Sequence, residues 1–158
     1  MSKMMFEAGH RRARYKRVLC FSIVQQKDID MLDHIGIRVS NLERSKDFYR
    51  AALRPLNYVL RKEIPSAAGF CVVDGFGKSP DPAGDFWLIE GEPEGPRVHI
   101  AFSASSHQQV EAFFAAARAA GGIDNGGPGL RPEYHPHYYA AFILDPDQYN
   151  IEVVCHGA

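Results

Sequence analysis

Apolar and polar residues alternate over residues 33–39, D-H-I-G-I-R-V, and again over 97–103, R-V-H-I-A-F-S. A period of two marks a strand with one covered face. After each alternating segment the apolar spacing changes to three and four. Leu42, Phe48, Tyr49, Ala52 and Leu53 make one helical stripe, and Val110, Phe113, Phe114 and Ala117 make another. Ser40 or Asn41 can cap the first helix, which Pro55 terminates; Ser105 or Ser106 can cap the second, which Gly121 and Gly122 stop. Three further strands are predicted at 57–63, 69–74 and 85–90, parted by turn-rich segments at 64–68 and 75–84. After the second helix only 138–144 and 149–154 read clearly as strands, joined by D-P-D-Q, whereas I-D-N-G-G-P-G-L-R-P reads mostly as loop.

The two halves repeat at an offset of 65 residues, which pairs His34 with His99, Ser40 with Ser105 and Phe48-Tyr49 with Phe113-Phe114. A duplicated unit dictates the architecture. Each unit is β-α-β-β-β, over 31–90 and 97–155, and one unit alone is too small to bury its sheet face comfortably. The prediction is an α+β fold in which the two modules share one core and form a single domain over residues 31–156.

Composition adds limits. The chain has 158 residues, is 46% hydrophobic and carries a net charge of -1, enough apolar material for one core and too little charge to draw the whole molecule to nucleic acid or to an anionic membrane. Residues 1–30 hold net +4 and the remainder net -5, so this head reads as a loosely held extension, with Met31 as the start of the folded unit. Its basic run before 18–24 is a weak match to a targeting signal, and no A-x-A site follows. The longest apolar run, seven residues at 138–144, is far below the roughly 18 residues a membrane-spanning helix needs. Three scattered cysteines, Cys20, Cys71 and Cys155, suit a reducing cytoplasm rather than a disulfide framework.

Candidate chemistry comes from the repeat. His34 and His99 occupy equivalent strand positions, and an approximate twofold axis brings them near each other. Glu152, between Ile151 and Val153, points to the face opposite those apolar neighbours. It is either a solvent-facing strand residue or a buried carboxylate in need of a partner. Two imidazoles and one carboxylate with open positions suit a divalent ion: Fe, Mn, Ni or Zn. His107 reads as capping or solvated at its helix start, and His10 and His156 as bystanders in terminal segments.

At these residues the chain resembles the vicinal oxygen chelate superfamily of glyoxalase I, methylmalonyl-CoA epimerase, extradiol dioxygenases, and bleomycin and fosfomycin resistance proteins. The blocks are D-H-I-G-I-R-V with N-L-E-R-S-K-D-F-Y, then V-H-I-A-F, then F-I-L-D-P-D-Q-Y-N-I-E-V-V. The resemblance implies a U-shaped mixed sheet of about eight strands with helices on its outer face. It also implies ligand roles for His34, His99 and Glu152, and a homodimer. Glyoxalase I and the epimerase take a fourth ligand from the last strand of the first module. Aligning F-W-L-I-E with N-I-E-V-V puts Leu88 there, with Glu90 two residues on sharing its strand face. Phe142 stands where extradiol dioxygenases carry a catalytic tyrosine. Gly36 stands where thiol-transferring fosfomycin enzymes carry a threonine.

The segment R-P-E-Y-H-P-H-Y-Y-A-A-F places Arg131, His135, His137, Tyr138 and Tyr139 beside a Gly/Pro-rich loop, either as a lid over the cavity or as a Pro-pinned turn filling core space. Alternation sends Tyr138 with Phe142 to one face and Tyr139 to the other. Phe86 and Trp87 likewise divide between core and cavity wall. The expected function is a metal-dependent, glyoxalase-like lyase or isomerase. It would act on a small substrate through bidentate oxygen coordination and enediolate-type stabilisation, with Glu152, or Glu90 if it reaches, as base. The alternatives are an Fe(II) dioxygenase of the same superfamily and a non-catalytic small-molecule binding or resistance protein.

Overall fold

A computed structural model describes residues 32–157; the basic head, with His10 and the 18–24 stretch, lies outside them. The chain runs β1 (Ile35–Val39), α1 (Leu42–Ala52), a 3-10 turn (Arg54–Leu56), β2 (Tyr58–Ile64), β3 (Ala67–Val72), β4 (Phe86–Glu90), β5 (His99–Ser103), α2 (His107–Ala119), β6 (Ile123–Leu130), β7 (Tyr139–Leu144) and β8 (Asn150–Cys155). This is an α+β fold of two βαβββ modules. The helix starts are capped at the second of the two candidates in each case, Asn41 accepting from Arg44 N at 2.9 Å and Ser106 from Gln109 N at 3.3 Å. Leu42, Phe48, Tyr49 and Ala52 are buried along α1, as are Val110, Phe113 and Ala117 along α2. Burying each large side chain is worth about 1.5–3 kcal/mol.

The strands form two four-stranded mixed sheets, ordered β1-β4-β3-β2 and β5-β8-β7-β6, rather than one continuous sheet. β1 pairs with β4, and β5 with β8, in parallel; both β1 and β5 are therefore edge strands. Ile37, Val39, Phe86 and Leu88 of the first sheet and Ile100, Phe102, Ile143, Ile151 and Val153 of the second join the helices in one core. His34, His99 and Glu152 belong to the opposite parity. Phe86 and Phe102 meet edge-to-face at 5.2 Å across the two modules.

The loop expected after Gly122 is a strand. β6 pairs with β7 despite its glycines and Pro128, with register shifts at Asp124/Gly126 and Gly126/Gly129. An edge strand tolerates this composition because one side of its backbone needs no partner.

The D-P-D-Q turn joins the modules. Asp145, 1% exposed, accepts the Tyr49 hydroxyl at 2.6 Å and the backbone N–H groups of Asp147 and Tyr149 at 2.9 Å each. Burial raises the Asp145 carboxyl pKa while those donors hold it down, and burial with the Asp145 charge keeps the Tyr49 phenol protonated. Asp147 takes Arg44 Nη2 at 3.0 Å and the Ser40 N–H at 3.1 Å, and Tyr149 donates to Arg38 O at 2.9 Å. No helix among the described residues is long and apolar enough to cross a membrane.

Candidate functional site

β5 and β8 place His99 and Glu152 side by side. The parallel register sets Ala101 opposite Glu152 and His99 opposite Asn150, so the imidazole and the carboxylate lie diagonally on the sheet face that the helices leave uncovered. His99 Nε2 and Glu152 Oε2 are 2.8 Å apart. Asn125 Nδ2 donates to Asn150 Oδ1 at 3.1 Å, which turns Asn150 Nδ2 toward His99 Nδ1 at 2.7 Å. In this hydrogen-bond assignment His99 Nδ1 accepts and the ring proton sits on Nε2, donated to Glu152. Glu152 is 3% exposed; its other oxygen, Oε1, accepts the Tyr138 hydroxyl at 2.7 Å. Burial, then the Glu152 hydrogen bond, push the Tyr138 pKa up to about 12, so the phenol stays a donor at neutral pH. A buried carboxylate paired with one imidazole and one phenol meets the demand that the alternation implied.

His34 stands at the entrance to β1. Its Nδ1 is 2.8 Å from Asp33 Oδ1, and its side chain is 61% exposed. With Nδ1–H donated to that carboxylate, the Nε2 lone pair is free, the arrangement metal-ligating histidines commonly show. His34 and His99 line one cavity of about 500 Å³ between the first module and β5, together with Tyr58, Phe76, Asp85, Phe86 and Phe102. Asp85, unremarked in the sequence reading, is the repeat equivalent of Asn150 and holds a buried, unpartnered Oδ1. Burial raises its pKa, opposed by the Ser79 and Tyr58 hydroxyls; burial and Asp85 in turn push the Tyr58 phenol well up. In the sequence Asp85 reads only as the first residue of the strand predicted at 85–90.

The register corrects the alignment of the fourth ligand position. Gly36 faces Trp87 as Ala101 faces Glu152, so Trp87, not Leu88, is the equivalent of Glu152. Trp87 Nε1 donates to Gly84 O at 2.8 Å, and its ring covers Gly69, where an added Cβ would come within 2.9 Å of it. Glu90 shares parity with buried Phe86 and Leu88, on the helix side of the sheet, and does not line the cavity.

The Arg131 to Tyr139 segment divides as alternation requires. Tyr138 faces Glu152, whereas Tyr139 turns to α2, stacking on His107 at 3.9 Å and donating to Glu111 at 3.0 Å. Arg131 lies over the Phe142 ring at 5.5 Å and donates to Gly127 O at 2.7 Å, and Phe142 in turn sits 6.1 Å from His99. His135 Nδ1 accepts the His137 N–H at 3.1 Å, so its Nε2 donates to His156 Nδ1 at 2.8 Å. His156 is no bystander: it packs with His135 and Tyr138, whose ring is 5.1 Å away. A terminal histidine gives no local signal of such a partner. His137 remains exposed.

Two imidazoles and a carboxylate are donor types that a divalent ion takes: His34 offers a free Nε2 lone pair, and His99 must give up the Nε2 proton it donates to Glu152 before it can ligate. Among the described residues of one chain, no three His, Cys, Asp or Glu side chains are grouped closely enough to share an ion.

The Glyoxalase/Bleomycin resistance protein/Dioxygenase superfamily model matches residues 31–153, and the chain belongs to that superfamily. A glyoxalase/bleomycin resistance protein from Albidiferax ferrireducens is 29% identical, with 80% of this chain and 98% of that one covered and a TM-score of 0.64. A glyoxalase/bleomycin resistance protein/dioxygenase family enzyme from Burkholderia phytofirmans is 17% identical, covering 80% and 98%, with a TM-score of 0.60. A genomically encoded fosfomycin resistance protein from Listeria monocytogenes is 21% identical, covering 82% and 95%, with a TM-score of 0.57. The latter two share the fold. No curated protein matches the chain.

Proposed function

We propose that the chain is a metal-dependent enzyme of glyoxalase-like type, a lyase or isomerase of small oxygenated molecules. The observation that carries this reading is the buried Glu152 carboxylate held against His99 at 2.8 Å beside a cavity that His34 also lines. His34, His99 and Glu152 would hold the ion, which when bound supplies a Lewis acid for two neighbouring substrate oxygens. Tyr138 fixes Glu152 through Oε1 and leaves Oε2 toward His99, the oxygen that would take a substrate proton once released from its present partner. Phe142, with Arg131 above it, walls the same face. The dispersal of the three donors within one chain supports a homodimer as the working form, in which His34 of one protomer joins His99 and Glu152 of the other. The free, buried thiols of Cys71 and Cys155 suit a cytoplasmic setting.

The test is elemental analysis of purified protein and of His99→Ala. The expectation is about one divalent ion per site in the parent and at least a tenfold loss in the variant, as removal of one of three protein ligands implies. Equal metal content in both would sink the triad. The same dispersal favours a second reading, a metal-free small-molecule binding protein, which a metal-free parent would support.

A further inference from the structure

The cavity of about 500 Å³ is chemically one-sided. Among the described residues its lining includes Asp33 and Asp85 but neither lysine nor arginine. Asp85 takes part in no ion pair among the described residues, and its Oδ1 has no hydrogen-bond partner. A carboxylate so placed favours a cation or a strong donor and repels an anion. Around it stand the rings of Tyr58, Phe76, Phe86 and Phe102. Phe76 is 58% exposed on the β3–β4 loop between Gly75 and Gly77, whose φ values of +85° and +75° are glycine conformations in open surroundings. That placement leaves an aromatic face free at the cavity mouth. Aromatic faces combined with one carboxylate are the chemistry by which proteins recognise organic ammonium groups.

We propose that this cavity binds a small organic ammonium compound, its cationic head drawn to Asp85 and its body held among Tyr58, Phe76 and Phe102. The proposal names the substrate class for the part of the proposed site that this cavity within one chain supplies, and rests on the cavity belonging to the functional site, though not on the ion.

The experiment titrates the full chain, kept in chelator, with benzylammonium, benzyl alcohol and benzoate, followed by amide chemical shifts. Benzylammonium should bind at least about tenfold more tightly than the alcohol, with saturable shifts at Tyr58, Phe76 and Asp85, and benzoate should show none. Asp85→Asn should bring benzylammonium to within about twofold of the alcohol. Phe76→Ala, at an exposed loop position that folding does not need, should weaken benzylammonium severalfold and leave benzoate unbound. Equal affinities for the three probes, preference for benzoate, shifts centred elsewhere, no binding of any probe, or an undiminished preference in Asp85→Asn would each overturn the proposal. Because no metal is present, these outcomes are separate from the His99→Ala metal analysis.

Discussion

A carboxylate taken out of water must be paired or protonated, and the chain meets this differently at Glu152 and Asp85. Glu152 has His99 and Tyr138 as partners; Asp85 leaves one oxygen without any. The Asp85 pKa is raised above 3.8, chiefly by burial. Between the unfolded and folded values the native state binds more protons, so stability falls as pH rises through that interval and stays lowered above it. Asp85→Asn is therefore expected to raise the denaturant midpoint at about pH 7, with the gain shrinking below the folded-state pKa. An equal gain at both pH values would show that the ionised carboxylate is not its cause. That Glu152 faces away from Ile151 and Val153 was legible from alternation alone. The orphaned oxygen of Asp85 was not, since it depends on loop residues folding over the start of β4.

At the scale of elements, helix stripes and strand parity were readable because backbone geometry imposes periods of 3.6 and 2 on whatever side chains it carries. β6 escaped because its glycines serve its neighbours rather than its own propensity. Added Cβ atoms at Gly126 and Gly129 would come within 3.0 Å of Phe142 and 2.9 Å of Arg131. Gly122, at the turn from α2 into β6, shows the same logic at its sharpest. A Cβ there would meet Ile143 Cγ2 at 2.5 Å, Ala117 O at 2.9 Å and Phe48 Cε2 at 3.1 Å. Gly122→Ala is expected to destabilise the protein by about 1–3 kcal/mol, read as a lower denaturant midpoint with unchanged m-value. A midpoint equal to the parent's would show that α2 can shift away from β7 freely.

For the whole molecule, the arrangement of the two sheets decides what the site can be. Asp145 and Asp147 tie the second module to α1 and Tyr149 ties it to β1, while β1 and β5 stay edge strands and, among the described residues of one chain, the three candidate ligands do not gather. Exposed edges invite pairing with another strand. Edge pairing of β1 with β5 of a second copy would extend each four-stranded sheet to eight and bring His34 toward the His99–Glu152 pair. Sedimentation equilibrium is expected to give twice the chain mass of 17.6 kDa; a monomer at micromolar concentration would remove the dimeric site from consideration.

From the sequence alone came the duplication, the two βαβββ modules, the stripes of both helices with two candidate caps for each, and the sheet face that each of His34, His99, Tyr138 and Glu152 occupies. All of these are local or periodic properties, expressed within a few residues. Tertiary structure alone decided that Trp87 rather than Leu88 mirrors Glu152, that Glu90 turns to the helix side, that His156 joins His135, and that one oxygen of Asp85 lacks a partner in an aromatic cavity. Each depends on register, or on side chains far apart in the chain, and such contacts arise only when one element packs against another.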